Sequence, residues 1–566
     1  MDSSAVRPNS RTFGTGFADK APQLSGILQQ KQKVTSITTS QRLKLLTSLL
    51  ILISAAGADA QTAPEVPRLV VNIVIDQLRT DYMEAFSPLY SDRGFQRLMK
   101  EGRVYTRAEY PFNDPDRASA VACLMSGTSP YENGIVGERW LDRQTLTPLY
   151  CVDDKEFQGQ QTQDASSARS LGVSTITDEL KVATEGNGLV YAIAPFRDAA
   201  VLLGGHAADG AFWLDVETGM WCSSSYYGAF PGWATTYNTT SSVKQRIGKM
   251  EWEPMNELVG KYNYFVSGAS KKPFKHKFAG DRKFIQFVAS ALVNEETNNF
   301  MREVIKNTQV GLDEVTDVLN IAYYAGNFDH NSVSQSPIEL QDTYVRLDRD
   351  LGDLFEYLEK RVGKGHVLFT VTGTGSAESD YISDLSKYRI PTGTFSITKA
   401  KLLLNMYLIA VYGPGEYVET CLGNELYLNL KLIENRNLNL TEILERSSDF
   451  LIQLSGVRDV YSSQRLALGA GTPGIARLRN AYHPKCSGDI LIQVSPGWTL
   501  VNENTHEQTI VRESYVGFPL FFMGSNIEPD TVHTPVTIDY VAPTLAKSMR
   551  IRAPNACDLA PLPAFK

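Results

Sequence analysis

Long apolar runs alternate with amphipathic stretches along most of the chain. Three runs predict strands buried on both faces, as in parallel sheets: LVVNIVI from Leu69, LVYAIA from Leu189 and LNIAYY from Leu319. Between Ser336 and Gly363, leucine or tyrosine recurs every three or four residues, which predicts a long helix with one apolar face. A strand starting LFTV at Leu368 follows directly. Strand, helix and strand form a βαβ unit, so the pattern predicts an α/β fold around a mostly parallel sheet with helices on both faces.

The ends of the long helix carry their own signals. Ser336 is a candidate N-cap, Pro337 fits the first helical position, and Glu339 would complete a capping box with Ser336. Gly363 fits the end of the helix. A second helical stretch, RASAVACLMS from Arg117, ends before Gly127. The sequence therefore sets the limits of both helices.

Two regions interrupt this regular pattern. Residues from about 215 to 300 are aromatic and irregular, and residues from about 386 to 485 contain hairpin-like and helical pieces of their own. We interpret both as insertions in one α/β domain that covers 65–560. After the second insertion, SGDILIQVSPGW from Ser487 predicts a strand that returns to the core. The strand FPLFFMG from Phe518 and a closing helix within VTIDYVAPTLAKSM follow.

The N-terminal residues do not have the pattern of a folded core. Residues 1–40 are polar and aperiodic, and we expect a disordered extension. Residues 41–60 combine Arg42 and Lys44 with an apolar run from Leu45 and the motif Ala-Asp-Ala, which is typical of a secretory signal cleaved before Gln61. The apolar run is shorter than the roughly 20 residues that span a bilayer. We expect an exported chain, in the periplasm or cell envelope, with no transmembrane span after cleavage. A retained N-terminal anchor is the alternative.

Charge and cysteine content narrow the functional classes. The 566-residue chain has a formal net charge of −8 and no basic stripe, which argues against a nucleic-acid partner. Its six cysteines include no CxxC pair, so no zinc-finger site is indicated. Export permits disulfides, and buried free thiols are the alternative.

The end of the strand that begins LFTV raises the question of function. Ligands of open α/β sheets bind at the carboxyl ends of strands, where an acid, a histidine or a nucleophile is expected. This strand ends in Thr-Gly-Thr-Gly-Ser from Thr372, whereas the first strand ends in Asp76. We expect Asp76 and Thr374 to lie in one crevice.

Motifs along the whole mature chain resemble one family. From about 68 to 560 they occur in this order: IVIDQLRTDY, GTSPYENGIVGERWLD, YCVDD, STITDELKVAT, GGHAADGAFWLDVETG, YYGAFPGWATTYN, QDTYVRLDRDLGDLFEYLEKRVGKG, HPKCSGDILIQVSPGW and DYVAPTLA. The chain resembles the alkaline phosphatase superfamily, most closely the exported, phosphate-irrepressible bacterial phosphate monoesterases, which are relatives of nucleotide pyrophosphatases. The resemblance implies an alkaline-phosphatase-like α/β core with inserted cap regions.

The resemblance also implies a catalytic site built around two zinc ions. In active members the zinc ions flank a threonine or serine nucleophile, lower its pKa and hold the attacking and leaving oxygens. Aspartate and histidine are the ligands, while a lysine, an arginine and an asparagine stabilise the phosphoryl oxygens.

Most of these positions carry another residue in this chain. Asp76 matches the first aspartate ligand, and His506 is a weak match to the last histidine ligand. The nucleophile position holds Arg117, the asparagine position Glu138, the Lys-x-Arg pair Phe196 and Asp198, and the remaining ligand positions Asn327, Asn331, Thr374 and Gly375. The adjacent pair Asp329 and His330 does not reproduce the lost Asp-x-x-x-His spacing.

These substitutions favour a pseudoenzyme. We expect no zinc or other cofactor, and a binding or assembly role with an unknown protein partner in the cell envelope. The alternative is an active phosphoric ester hydrolase, a phosphomonoesterase or phosphodiesterase, with an altered site. Its candidate groups, each more typical of a structural role, are His206, His330, His506 and Ser119. We also expect Arg117 to enter the old metal crevice and bond Asp76, with Asp198 or Glu138 as a second partner; a solvated arginine is the alternative.

Overall fold

The computed structural model describes residues 65–261, 273–331, 335–375, 391–469, 473–512 and 516–563. The predicted extension and secretory signal, residues 1–60, lie outside these ranges. Within the described ranges, no helix is both long and apolar enough to cross a membrane.

An 11-stranded sheet forms the centre of the fold. From one edge to the other its strands are Asp530–Val532, Arg103–Glu109, Phe518–Gly524, Val367–Gly373, Leu69–Asp76, Asp317–Tyr324, Val190–Ala194, Gly210–Leu214, Trp221–Ser224 and Gly159–Gln160, with Val536–Thr537 beside Arg103–Glu109. The five central strands, from Val367–Gly373 to Gly210–Leu214, are parallel, whereas Phe518–Gly524 runs antiparallel to both neighbours. The prediction of a mostly parallel sheet is confirmed.

Helices cover both faces of this sheet, because successive side chains of each buried strand point to opposite sides. On one face Val71 and Ile73 pack with the helices Thr80–Ala85, Phe95–Glu101, Lys283–Val288, Leu292–Asn307 and Pro337–Val362. On the other face Val70 and Val74 pack with Arg117–Ser126, Ile176–Ala183, Arg197–Gly204 and Val541–Met549. Every residue of the strand Leu69–Asp76 is buried, as its apolar run predicts.

Two smaller sheets lie between residues 394 and 510. One is four-stranded and antiparallel, in the order Val418–Leu422, Glu425–Leu428, Ile490–Val494 and Val457–Ser462. The other contains Thr394–Ser396, Thr499–Asn502 and Glu507–Ile510. Their helices are Ile397–Tyr412, Leu430–Asn435, Leu440–Leu451, Ser463–Leu468 and Pro473–Ala481. Residues from Phe395 to Val494 share a hydrophobic core separate from those of the large sheet.

The remaining elements are short. They include the α-helices Pro130–Asn133, Gly232–Thr240 and Val243–Arg246, and the antiparallel strand pairs Arg139–Leu141 with Pro148–Tyr150 and Glu251–Trp252 with His276–Lys277. They also include the 3-10 helices Ser87–Leu89, Ser225–Tyr227, Ile247–Lys249, Phe328–His330, Lys364–His366 and Ile538–Tyr540. All six cysteines are free thiols.

The expected return of SGDILIQV to the core is wrong. Its strand, Ile490–Val494, pairs with Glu425–Leu428 and Val457–Ser462 in the four-stranded sheet. Buried and half-buried residues alternate along this strand, whereas Leu69–Asp76 is buried throughout. That alternation is typical of a sheet covered on one face, and it distinguishes this strand from those of the core.

The predicted capping box at Ser336 is also wrong. The side chain of Ser336 accepts no capping hydrogen bond from the helix. The carboxylate of Glu339 lies 2.7 Å from Nε2 of His276 and so is engaged elsewhere. Instead, Ser336 Oγ accepts a hydrogen bond of 3.4 Å from Nδ2 of Asn331. Tertiary partners have replaced the local cap.

Candidate functional site

Two parallel strands end side by side in a buried crevice. Leu69–Asp76 pairs with Val367–Gly373, so Asp76 and Thr374 emerge next to each other at the carboxyl end of the sheet. Thr374 donates a hydrogen bond from Oγ1 to Oδ1 of Asp76 over 2.7 Å and accepts one from the backbone N–H of Gln77 over 3.1 Å. The expectation that Asp76 and Thr374 share one crevice is confirmed.

The backbone turns sharply after Asp76. Gln77 has a φ of 61°, in the left-handed region that residues other than glycine rarely adopt. The hydrogen bond from its N–H to Thr374 helps to hold this conformation. Strained backbone of this kind is concentrated at functional sites, because it persists only where surrounding contacts impose it.

Arg117 enters the same crevice from the helix layer that packs on Val70 and Val74. It is the first residue of the helix Arg117–Ser126, whose N-terminus is capped by Asp116. The Asp116 carboxylate accepts hydrogen bonds from the N–H and Oγ of Ser119 and from the N–H of Glu138. Ser119 therefore belongs to a capping box, the structural role that its position favoured.

The guanidinium of Arg117 bonds two aspartates. Its Nε lies 2.9 Å and 3.1 Å from the two carboxylate oxygens of Asp198, and its Nη2 lies 3.0 Å from Oδ1 of Asp198. Its Nη1 donates to Oδ2 of Asp76 over 3.4 Å. The expected pairing with Asp76 and Asp198 is confirmed, in the forked geometry to which arginine is suited.

The charged side chains of this cluster are largely buried, so their charges are costly unless they are paired. The side chain of Asp198 is 0% exposed, that of Asp76 6% and that of Arg117 18%. Burial alone would lower the pKa of the Arg117 guanidinium, but Asp198 and Asp76 raise it well above its ordinary value. Arg117 therefore remains charged and is shared between two carboxylates that are largely withdrawn from water.

Phe196 completes the contacts of Arg117. The guanidinium carbon lies 3.9 Å from the centre of the Phe196 ring, within the range of a cation–π contact. The Phe196 ring in turn meets the Tyr324 ring edge-on, with the ring centres 6.0 Å apart. The two residues at the Lys-x-Arg positions, Phe196 and Asp198, thus both hold Arg117.

Glu138 lies nearby without an ion pair. Among the described residues no basic nitrogen lies within 4.0 Å of its carboxylate, so of the two alternatives for the second partner of Arg117, Asp198 is engaged and Glu138 is not. Burial raises the pKa of the Glu138 carboxyl, and the charge of Asp198 raises it further, while Arg117 opposes the shift. Glu138 therefore holds a proton more readily than a glutamate in water.

A cavity of about 880 Å³ lies beside this cluster. Arg117, Glu138 and Phe196 line it, together with Arg139, Tyr150, Asp153, Arg197, Trp213 and Asp215. Arg197 pairs with Asp153 at 2.9 Å and stacks on the Tyr150 ring. The volume of the cavity is in the range of small-molecule pockets. Sequence reasoning missed this cavity, because its wall comes from segments far apart in the chain.

The other expected ligand positions do not join the cluster. Asn327 is buried, and its carbonyl accepts a hydrogen bond from Tyr324, while Asn331 contacts Ser336. Gly375 follows Thr374 with a φ of 84°, so the position that holds histidine in the family has backbone suited to glycine. His506 is exposed at the turn between Thr499–Asn502 and Glu507–Ile510, in the three-stranded sheet.

The other two candidate histidines, His206 and His330, have structural partners. Nδ1 of His206 lies 2.7 Å from the Asp178 carboxylate and its Nε2 lies 3.0 Å from the carbonyl of Leu171. Asp329 is paired with Arg282, and His330 contacts the Tyr324 ring. Neither His206 nor His330 lines the cavity beside Arg117.

These residues do not fit a pair of zinc ions. Zinc requires three or four Asp, Glu, His or Cys ligands converging on one point. Across the part of the chain that the structure describes, no group of three or more such residues is arranged to hold a metal ion. At the crevice itself, the carboxylates of Asp76 and Asp198 are bonded to the positively charged guanidinium of Arg117.

Comparison with known proteins identifies the family. The model of the family "Type I phosphodiesterase / nucleotide pyrophosphatase" matches residues 70–516. The chain is 27% identical to alkaline phosphatase PhoV of Synechococcus elongatus over 551 residues, which is 91% of this chain and 98% of that protein. It is also 27% identical to alkaline phosphatase PafA of Elizabethkingia meningoseptica over 536 residues, 90% of this chain and 97% of that protein.

A solved structure supports the same assignment. The crystal structure of wild-type PafA superposes with a TM-score of 0.75 at 26% identity, covering 88% of this chain and 99% of that one. The alkaline-phosphatase-like fold expected from the motifs is therefore confirmed. Since the family model covers most of the chain, this protein belongs to the type I phosphodiesterase/nucleotide pyrophosphatase family.

Proposed function

We propose that this chain is an exported pseudoenzyme of its family, with a binding or assembly role in the cell envelope. The observation that carries the proposal is the position of Arg117. The residue that stands where active relatives have the nucleophile bonds both Asp76 and Asp198 in the crevice. A guanidinium in forked hydrogen bonds is a poor nucleophile, because its nitrogens remain protonated at any physiological pH.

The same cluster argues against binding of the phosphoryl group. Stabilisation of a phosphoryl transition state requires positive charge or hydrogen-bond donors that are free to face it. Arg117 directs Nε, Nη1 and Nη2 to carboxylates, and Asp198 and Glu138 add negative charge at two positions that carry arginine and asparagine in active relatives. A phosphate dianion would be repelled where the family attracts it.

One observation favours a second candidate, an active phosphoric ester hydrolase with an altered site. The cavity of about 880 Å³ remains beside Arg117, and Glu138 lines it with a raised pKa, as a general acid would. In this alternative Glu138 acts without zinc, and phosphate esters bind in the cavity.

Turnover of aryl phosphates separates the two. The purified mature chain is incubated with p-nitrophenyl phosphate and bis(p-nitrophenyl) phosphate, with and without added zinc. We expect hydrolysis no faster than in buffer. A matched Glu138→Gln variant identifies the source of any signal: a rate that the variant abolishes would establish the altered-site hydrolase, whereas a rate that it leaves unchanged belongs to a contaminating phosphatase.

A further inference from the structure

The cavity beside Arg117 is lined by more acids than bases. Three arginines line it, and the acidic residues of its wall are Glu138, Asp153, Asp164, Asp215 and Glu217. Arg117 is already bonded to Asp76 and Asp198. Arg197 pairs with two acids of the wall, Asp153 at 2.9 Å and Asp164 at 3.6 Å. The acids that remain for a ligand are therefore Glu138, Asp215 and Glu217.

Glu138 presents a carboxylate without a partner. Its side chain makes neither an ion pair nor a hydrogen bond with any residue that the structure describes. Burial and the charge of Asp198 raise the pKa of this carboxyl, and Arg117 offsets the rise only in part. A half-buried carboxylate without a partner is costly, and a cation held in the cavity would remove that cost.

Asp215 supplies a second carboxylate oxygen of this kind. The residue is 7% exposed, follows the strand Gly210–Leu214 and lines the cavity. Its Oδ1 accepts three hydrogen bonds, from the N–H groups of Glu217 and Thr218 and from Oγ1 of Thr218. Its Oδ2 accepts none from the part of the chain that the structure describes. One oxygen thus fixes the carboxylate to the turn at 215–218, and the other is left for a ligand.

The wall suits an organic cation better than a metal ion. Within the described ranges no group of three or more acids, histidines or cysteines is arranged to hold a metal. A volume of about 880 Å³ accommodates an organic molecule, and apolar groups of Tyr150, Val216 and Met220 also line the cavity. An ammonium group donates up to three hydrogen bonds, which carboxylate oxygens accept strongly. Because Glu138 and Asp215 belong to separate segments, a ligand with two ammonium groups can use both.

The remaining base of the wall does not reverse this preference. Arg139 makes no ion pair with the described residues, but it is exposed, and its guanidinium carbon lies 5.9 Å from the centre of the Tyr150 ring. One such charge faces the three acids that lack an ion pair, so the wall attracts cations and repels phosphate esters. We propose that the cavity binds an aliphatic diamine or polyamine, with one ammonium group at Glu138 and another at Asp215. This ligand class rests on the proposed binding role.

Isothermal titration calorimetry of the full mature chain with spermidine tests this proposal. We expect saturable binding to the wild type, and binding about tenfold weaker in Glu138→Gln and in Asp215→Asn, because each loses one charged acceptor. Both variants should fold, since Glu138 has no partner to lose and an asparagine at 215 keeps an oxygen that accepts from the turn. The matched control is Glu314→Gln, which removes the same charge from a side chain that is 90% exposed and outside the cavity. It should bind spermidine like the wild type.

Three results would overturn the proposal. The first is a wild-type chain that does not bind spermidine at about 1 mM, the limit of weak specific binding. The second is binding that Glu138→Gln and Asp215→Asn leave unchanged, or that Glu314→Gln weakens as much, which would mean adsorption to the acidic surface. The third is tighter binding of phenyl phosphate than of spermidine, lost in Arg139→Gln, which would make the cavity an anion site.

Failure of this proposal is distinguishable from failure of the proposed function. Turnover of aryl phosphates by the wild type would overturn the pseudoenzyme, whatever spermidine does. Absence of spermidine binding, in a chain that also hydrolyses no aryl phosphate, would overturn the ligand class alone.

Discussion

Removing the guanidinium of Arg117 should lower the free energy of unfolding more than the loss of any other single ion pair at this crevice. Arg117→Met keeps the length of the side chain and removes its charge. Asp198, which is 0% exposed, then loses its three short contacts, and Asp76 loses its contact of 3.4 Å. Loss of one partner of a buried ion pair costs about 3–5 kcal/mol, because the other charge is left unpaired. Loss of the cation–π contact with Phe196 adds about 0.5–2 kcal/mol.

Urea denaturation followed by tryptophan fluorescence measures this loss as a change in the free energy of unfolding. The matched control is Arg169→Met. Arg169 also pairs with two acids, Asp154 and Glu156, and stacks on an aromatic ring, but its side chain is 52% exposed. Exposed pairs of this kind contribute little, because water screens both charges. The control variant should therefore unfold close to the wild type. The reasoning is refuted if Arg117→Met loses no more stability than Arg169→Met.

Three further predictions concern other parts of the chain. The hydrogen bond that the His206 ring donates to the Asp178 carboxylate raises the pKa of His206, while burial opposes the shift. His206 therefore contributes stability below its unfolded pKa of about 6.5 and loses it as the pH rises through the folded value. The stability lost in His206→Gln, measured in urea, should be larger at pH 6 than at pH 8, and an equal loss would contradict this. Phe196→Leu should lower the free energy of unfolding by about 1–2 kcal/mol. In an Arg117→Met background the same substitution should cost less, because the cation–π contact is then already absent. If the losses of the two single variants simply add in the double variant, that result would count against the contact. N-terminal sequencing of the protein recovered from the producing cells should begin near Gln61, and an intact cytosolic chain of full length would contradict export.

The sequence was sufficient to predict the crevice because its residues lie at the ends of buried strands. The strands that end at Asp76 and Gly373 are buried throughout, and the carboxyl ends of neighbouring parallel strands meet at the same edge of the sheet. The pairing of Arg117 followed from charge, since an arginine and an aspartate enter the site together at 117 and 198. Compensation of this kind is visible in sequence once the positions are known.

Other features depend on contacts that no local pattern specifies. The Ser336 capping box is absent because the partner of Glu339 is His276, 63 residues away along the chain. The strand Ile490–Val494 was assigned to the wrong sheet because a short apolar run predicts a strand but not its neighbours. Glu138 could be named as a site position, but whether it would be paired depended on the orientation of the Arg117 fork.

The central claim is that Arg117 and its two aspartates have replaced the metal site of the family. Zinc content after equilibrium dialysis of the mature chain against zinc, measured by elemental analysis, tests this claim most directly. The account predicts far less than one zinc ion per chain, because Asp76 and Asp198 are bonded to Arg117 and the described part of the chain contains no group of three or more residues arranged to hold a metal ion. Two zinc ions tightly held by each chain would contradict it.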